Sequence, residues 1–161
     1  MVCSGNICRS PMAEVVAKAH AAKAGLTDVE IDSCGTGPWH VGEGIDERAQ
    51  AALVAEGFDG SGHRARQIRP EWLTERDLIL AADRGHLIEL RRLAQRAGVP
   101  DDRVELLGNY HPDGHSPEIT DPYFGGDEGF ATCLETIEAC VDGLISHLAS
   151  RSNLRGADPH R

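Results

Sequence analysis

The sequence predicts an α/β fold in three layers, α/β/α, with helices on both faces of a small parallel sheet. Short strand-like runs at residues 29–33, 78–82 and 104–107 alternate with stretches of helical spacing. A loop dense in reactive side chains opens directly into a helix at the start of the chain, as loops do at the carboxyl ends of parallel strands. The 161 residues are enough for one core without disulfides or metals to staple it.

Ser10 followed by Pro11 has the form of an N-cap and first helical residue, and the alanine-rich stretch that follows runs to Gly25. Residues 29–33 alternate like a strand, after which Gly35, Thr36, Gly37 and Pro38 break regular structure before Trp39 and His40. Asp46 is placed to cap a helix with Ala49, Ala52, Leu53 and Ala55 on one side, which Gly57 ends. Residues 63–69 are polar and basic and read as loop. The apolar run 78–82 suits a buried parallel strand, and Leu87, Leu90, Leu93 and Ala94 give a helix before Gly98. A further strand is expected at 104–107. From 127 to 148, Phe130, Leu134, Ile137, Val141, Leu144, Ile145 and Leu148 fall near one helical face and should close the core. The domain is therefore expected to span 1–148, with 149–161 a polar, disordered tail.

Twenty-six Asp and Glu against sixteen Lys and Arg give a formal charge of −10, which argues against nucleic acid as a partner. No run of eighteen apolar residues suggests a membrane span, and the N-terminus lacks the zones of a signal peptide, so the expected compartment is the cytoplasm. In that reducing compartment the five cysteines should be thiols, with chemistry a better reason for them than stapling. Any phosphate site on so acidic a chain must be a local arrangement of backbone donors and arginine.

Residues 3–10, Cys-Ser-Gly-Asn-Ile-Cys-Arg-Ser, offer one. Successive backbone N–H groups of such a loop can turn inward as an anion nest, the helix N-terminus adds partial positive charge, and Arg9 can grip two oxygens. The same field favours a thiolate at Cys3, the attacking form of sulfur. Gly5 and Asn6 tolerate the left-handed backbone that a tight loop requires, and Ser10 is within reach to donate to the sulfur. The eight histidines are scattered, so neither a metal nor another cofactor is expected.

Cys-x5-Arg-Ser-Pro, with Gly-Asn-Ile-Cys inside, resembles the signature of the low-molecular-weight protein tyrosine phosphatases. Further similarities are Gly35-Thr36-Gly37, Trp39-His40-Val41-Gly42, Asp46-x-Arg48-Ala49, His63-x-Ala65-Arg66-Gln67 and Asp83 after an apolar strand, and they resemble actinobacterial members most closely. The resemblance implies that Cys3 attacks phosphorus to form a phosphocysteine and that Arg9 clamps the phosphoryl group. Ser4, Gly5, Asn6, Ile7, Cys8 and Ser10 would complete the phosphate loop. Ile119-Thr120-Asp121-Pro122-Tyr123 resembles the family's acid loop, which makes Asp121 the general acid and later the base. It further implies a cleft walled by Trp39 and Tyr123, supporting roles for His63 and Asp83, and a reversible disulfide between Cys8 and the nucleophile. The expected substrate is a phosphotyrosine-containing protein.

In the family a hydrophobic strand precedes the phosphate loop, whereas only Met1 and Val2 precede Cys3 here. With its first strand largely missing, the family's four-stranded sheet would leave two neighbours without ladder partners. That points to a chain that begins further upstream, to a rearranged sheet, or to one completed by another copy, and it raises a catalytically impaired phosphate-binding protein as an alternative. Two other activities share the fold. Arsenate reductases use two additional cysteines before the Asp-Pro loop, and no such pair lies between Cys34 and Asp121. Phosphoarginine phosphatases typically carry threonine where this chain has Ile7. Phe124 stands where many relatives carry a second tyrosine, and Cys133 and Cys140, seven apart on one predicted helix, read as packing residues.

Overall fold

The computed structural model describes residues 1–115 and 117–156. Four parallel strands, β1 (Val2–Cys3), β2 (Cys34–Gly35), β3 (Ile79–Ala81) and β4 (Val104–Leu106), lie in the order β2-β1-β3-β4. The helices are α1 (Arg9–Lys23), α2 (Glu47–Ala55), α3 (Trp72–Glu75), α4 (Arg84–Ala97) and α5 (Asp127–Gly156).

The two-residue period of a strand divides the core between the sheet's faces. Leu80 joins the cluster built by Met12 and Val16 of α1, Leu53 of α2, and Phe130, Leu134, Ile137 and Val141 of α5. Its neighbours Ile79 and Ala81 join Leu73 of α3 and Leu90 and Ala94 of α4 on the other side. A helical layer on each face of the sheet is the three-layer arrangement expected.

The first strand is short but present, which overturns the expectation that its two neighbours would lack ladder partners. Ala82 N donates to Val2 O at 2.9 Å on one side, and Thr36 N donates to Cys3 O at 2.9 Å on the other. Two residues suffice because the ladder is needed where the chain enters the loop. The strand expected at 29–33 is displaced to Cys34–Gly35 for the same reason. The ladder starts where its neighbour does, with Cys34 N donating to Met1 O at 3.0 Å; before it the chain terminus only touches Asp32 O, at 2.9 Å, and alternation alone cannot make a strand without a paired strand alongside.

Other local readings need smaller corrections. Cys8, not Ser10, is the N-cap residue of α1, so Ser10 lies inside the first turn with its hydroxyl free for the loop. Asp46 caps α2 as expected, accepting from Arg48 N at 2.8 Å, and Gly98 ends α4 in the left-handed region. The single turn α3 falls after the segment read as loop and was not expected. Helix α5 continues past Leu148 to Gly156, since residues 149–155 contain no Pro or Gly. Residues 157–161 of the expected tail lie outside the described residues.

Gly143 fixes how closely α5 approaches the 3-10 turn Leu107–Tyr110, because a Cβ there would stand 1.8 Å from Tyr110 O. Helix propensity alone would favour Gly143→Ala by about 1 kcal/mol. The obstacle is backbone and cannot rotate away, so overpacking of about 1–3 kcal/mol should win. Gly143→Ala is expected to lower the urea midpoint, and an unchanged or raised midpoint would show that the two elements can separate freely.

Candidate active site

Cys3 ends β1 and Arg9 begins α1, so the chain turns through five residues between the middle of the sheet and the start of a helix. Asn6 is the pivot. It is fully buried with φ of 58°, a conformation asparagine tolerates better than most residues. Its side chain is saturated, with Oδ1 accepting from Arg66 N at 2.9 Å and Nδ2 donating to Ser10 Oγ at 2.8 Å and Ser33 Oγ at 2.9 Å. Its carbonyl accepts from His63 Nε2 at 2.6 Å.

One of these partners reaches the thiol. Ser10 Oγ lies 2.9 Å from Cys3 Sγ. Ser10 Oγ accepts from Asn6 Nδ2 and keeps its own hydrogen to give. Ser33 in turn donates to Glu14 of α1. Two glycines let neighbours close over the loop. A Cβ on Gly35 would stand 2.4 Å from Ser4 O, and one on Gly5 would stand 2.7 Å from His40 Cδ2.

Arg9 is buried, 4% exposed, and one of its nitrogens is already committed. Nη1 donates to Asp83 Oδ2 at 2.8 Å and to Ile119 O at 3.0 Å, while Nη2 faces Asp121 Oδ2 at 3.4 Å. Asp83 therefore orients the guanidinium, and the exposed carboxyl group of Asp121 waits at its other side. Burial pushes the Asp83 carboxyl group up, but the His86 amide and Arg9 outweigh it and hold its pKa below the usual range.

The loop carrying Asp121 is anchored through Arg48. Asp46 grips Arg48 with both oxygens, at 3.1 and 3.0 Å, and Arg48 Nη1 donates to Tyr123 O at 2.9 Å. The guanidinium also lies over the rings of Phe130 and Tyr123, at 4.6 and 5.3 Å. Asp46 N donates to Ile7 O at 2.9 Å, so one residue joins the cap of α2, the loop between Cys3 and Arg9 and the Asp-Pro segment.

The expected residues Cys3, Ser4, Gly5, Asn6, Ile7, Cys8, Arg9 and Ser10 thus form one loop, and Asp83, Asp121 and His63 touch it directly or through Arg9. Tyr123 is held beside it by Arg48. Trp39 stands apart at 68% exposure with its ring lying over Gly37, and it is His40 whose ring approaches Tyr123, at 6.4 Å between centroids. All five cysteines are free thiols. Burial pushes Cys8 far above the ordinary thiol range, with the Asp46 and Cys3 charges adding to it, and burial raises Cys133 to about 12. Sequence reasoning passed over His40 and Arg48 as site residues, although both lie in motifs it noted. It missed His86, Ser33 and Glu14 altogether, for nothing in their spacing marks residues that meet only after folding.

A thiol 2.9 Å from a serine hydroxyl, in a turn that leads into a helix N-terminus beside a buried arginine and a carboxyl group, is a layout suited to phosphate chemistry at sulfur. Comparison with known proteins agrees. The family model described as "Low molecular weight phosphotyrosine protein phosphatase" matches residues 1–154. A Streptomyces coelicolor relative named "Low molecular weight protein-tyrosine-phosphatase" is 47% identical, over 97% of this chain and 96% of its own. The crystal structure of an Entamoeba histolytica protein tyrosine phosphatase with Hepes in the active site superposes with a TM-score of 0.85 at 29% identity, covering 94% of this chain and 96% of that one. That of DARP, a Drosophila arginine phosphatase, gives 0.84 at 33%, covering 91% and 94%. The chain belongs to the low-molecular-weight phosphotyrosine protein phosphatase family.

Two histidines, His86 buried and His63 half-buried, make the fold sensitive to acid. Burial lowers the pKa of both His63 and His86. The unfolded chain therefore binds protons near pH ~6.5 that the folded chain refuses, and stability falls as pH drops below that value. The urea midpoint should decline between about pH 7 and 5, with a shallower decline in His63→Gln. Identical slopes for the two proteins would remove His63 from this account.

Proposed function

We propose that the chain hydrolyses phosphotyrosine in proteins through a phosphocysteine intermediate. The observation that carries this reading is the convergence of three groups, with Cys3 Sγ 2.9 Å from Ser10 Oγ at the start of the loop, the buried Arg9 at its end, and Asp121 facing that guanidinium at 3.4 Å.

Cys3 Sγ attacks phosphorus, the S–P bond forms, and the P–O bond to the tyrosyl oxygen breaks. The loop amides and the inner edge of Arg9 bind the equatorial oxygens, with Asp83 keeping the guanidinium in position. Asp121 gives its proton to the departing phenolate and then takes one from the water that cleaves the S–P bond, which returns the thiolate and releases phosphate. Its exposure suits exchange of that proton with solvent. Because Nη2 of Arg9 faces Asp121 at 3.4 Å, an arriving dianion would compete with the carboxylate for the guanidinium.

The aryl ring would enter beside Tyr123 and His40, whose rings lie 6.4 Å apart at the mouth of the loop, with the exposed Trp39 over Gly37 as an outer wall. A flat apolar wall suits a phenyl ring. The resemblance to an arginine phosphatase favours a second reading, phosphoarginine, on the same chemistry. Ile7 weighs against it, since the side chain is buried and apolar where the guanidinium phosphate would gain from a hydroxyl.

The test is hydrolysis of p-nitrophenyl phosphate and of a phosphotyrosine peptide beside a phosphoarginine peptide, at mildly acidic pH in EDTA. Cys3→Ser should abolish turnover, and Asp121→Ala should lower kcat by roughly 10²–10⁴-fold. Preference for phosphotyrosine is expected. Turnover that survives Cys3→Ser, or that is lost on chelation in the wild type, would sink the thiol mechanism.

A further inference from the structure

Ser4 lies next to the thiol in the phosphate loop, and its hydroxyl has a partner that the chemistry above does not use. Ser4 Oγ is 2.8 Å from Nε2 of His86, a side chain from the first turn of α4 that is only 4% exposed. The other ring nitrogen, Nδ1, is buried without a hydrogen-bond partner, yet lies 3.1 Å from Asp83 Oδ1. Asp83 Oδ1 accepts from His86 N at 3.0 Å, and Asp83 Oδ2 holds Arg9. Ser4, His86, Asp83 and Arg9 therefore form one chain running from the start of the phosphate loop to its end.

The tautomer follows from the charges. A neutral imidazole has one hydrogen, and a lone pair on Nδ1 facing the Asp83 carboxylate would be repelled. The hydrogen therefore belongs on Nδ1, which leaves Nε2 bare, and a bare Nε2 can only accept. The Ser4 hydroxyl hydrogen then points at His86 and is withdrawn from anything bound in the loop. A second proton on His86 reverses this, because Nε2–H must donate and Ser4 Oγ must accept.

We infer that Ser4 and His86 form a proton-controlled donor to the bound oxyanion. When His86 takes a proton from solvent, its Nε2–H donates to Ser4 Oγ and the Ser4 hydroxyl hydrogen turns to the anion. The inference rests on the reading of residues 3–9 as a phosphate loop. His86 is a positioning residue here, acting on the ligand through Ser4.

The surroundings set the balance. Burial keeps His86 neutral in the empty site, and Arg9 on α1 opposes its charge, as does the N-terminus of α4. Asp83 at the cap of α4, Glu89 one turn on, and Asp121 across the site favour the charged form. Glu118, which accepts from Arg84 N at 2.7 Å, adds negative charge beside the same helix start. A dianion in the loop adds two more charges of that sign, so binding and protonation promote each other reciprocally.

Sulfate is the probe, since it stays doubly charged across the range in which histidine titrates. Its dissociation constant would be measured by calorimetry between about pH 7.5 and 5.5 for the wild type, Ser4→Ala, His86→Gln and the double variant. The wild type should bind about tenfold tighter at the acid end, the gain of one hydrogen bond to a charged group. Both single variants should show a flatter dependence, with the double variant no flatter than either. Nitrogen NMR of the His86 ring should show hydrogen on Nδ1 at neutral pH and a second proton whose uptake sulfate shifts to higher pH.

Parallel pH profiles in all four proteins, or hydrogen on Nε2 in the neutral ring, would overturn the inference while leaving the phosphate loop intact. If His86→Gln does not fold, Ser4→Ala decides the matter with His86 in place. Absence of sulfate binding at every pH would overturn the phosphate-loop reading itself, and this inference with it.

Discussion

Asn6 is buried at φ of 58° and spends its whole side chain on neighbours. A residue in that position has no water to turn to, so each of its partners must be in place or a buried amide goes unpaired at about 1–3 kcal/mol. Arg66 N comes from the segment after α2, Ser33 from the entry to β2, and Ser10 from α1. The shape of a five-residue turn is thus written into three distant parts of the chain. Ser10 accepts from Asn6 and lies 2.9 Å from the Cys3 thiol, so the residue that holds the turn also holds the neighbour of the sulfur.

The arginine end of the loop follows a different logic. A chain with a formal charge of −10 cannot attract an anion by its surface, so the attraction has to be built where the anion sits. Arg9 is buried between two carboxyl groups of unlike standing. Asp83, partly buried and bonded at 2.8 Å, is a permanent counter-ion that fixes the plane of the guanidinium. Asp121, more exposed and at 3.4 Å, is the looser contact. Burial of Arg9 keeps both stronger than surface ion pairs would be.

Much of this was legible in the sequence because the loop is contiguous. Residues 3–10 carry thiol, glycine, asparagine, arginine and serine in one run, and the start of α1 was placed within one or two residues of where it begins. The strands were harder. The alternation at 29–33 pointed to the right neighbourhood and the wrong residues, since pairing with β1, not pattern, decides where β2 starts. The worry over a missing first strand assumed that a central strand must be long, when its essential task is to deliver Cys3 between Gly35 and Ala82. His86 and Arg48 escaped notice for a related reason. A histidine after a strand and an arginine after a cap look like surface residues until the loops they serve fold over them.

The five cysteines show why residue type alone is a poor guide to reactivity. Burial raises Cys34 and Cys140 to about 11 and Cys133 to about 12, and drives Cys8 higher still although it shares the loop with Cys3. All five are buried, so exposure does not separate them. What sets Cys3 apart is Ser10 Oγ 2.9 Å from its sulfur and a place at the start of the loop that ends in Arg9. Ser10 is held by Asn6, and Asn6 is held by Ser33 and by the segment that carries Arg66. The site is therefore a property of the whole fold, and a cysteine moved to any other buried position in this chain would behave as one more apolar side chain.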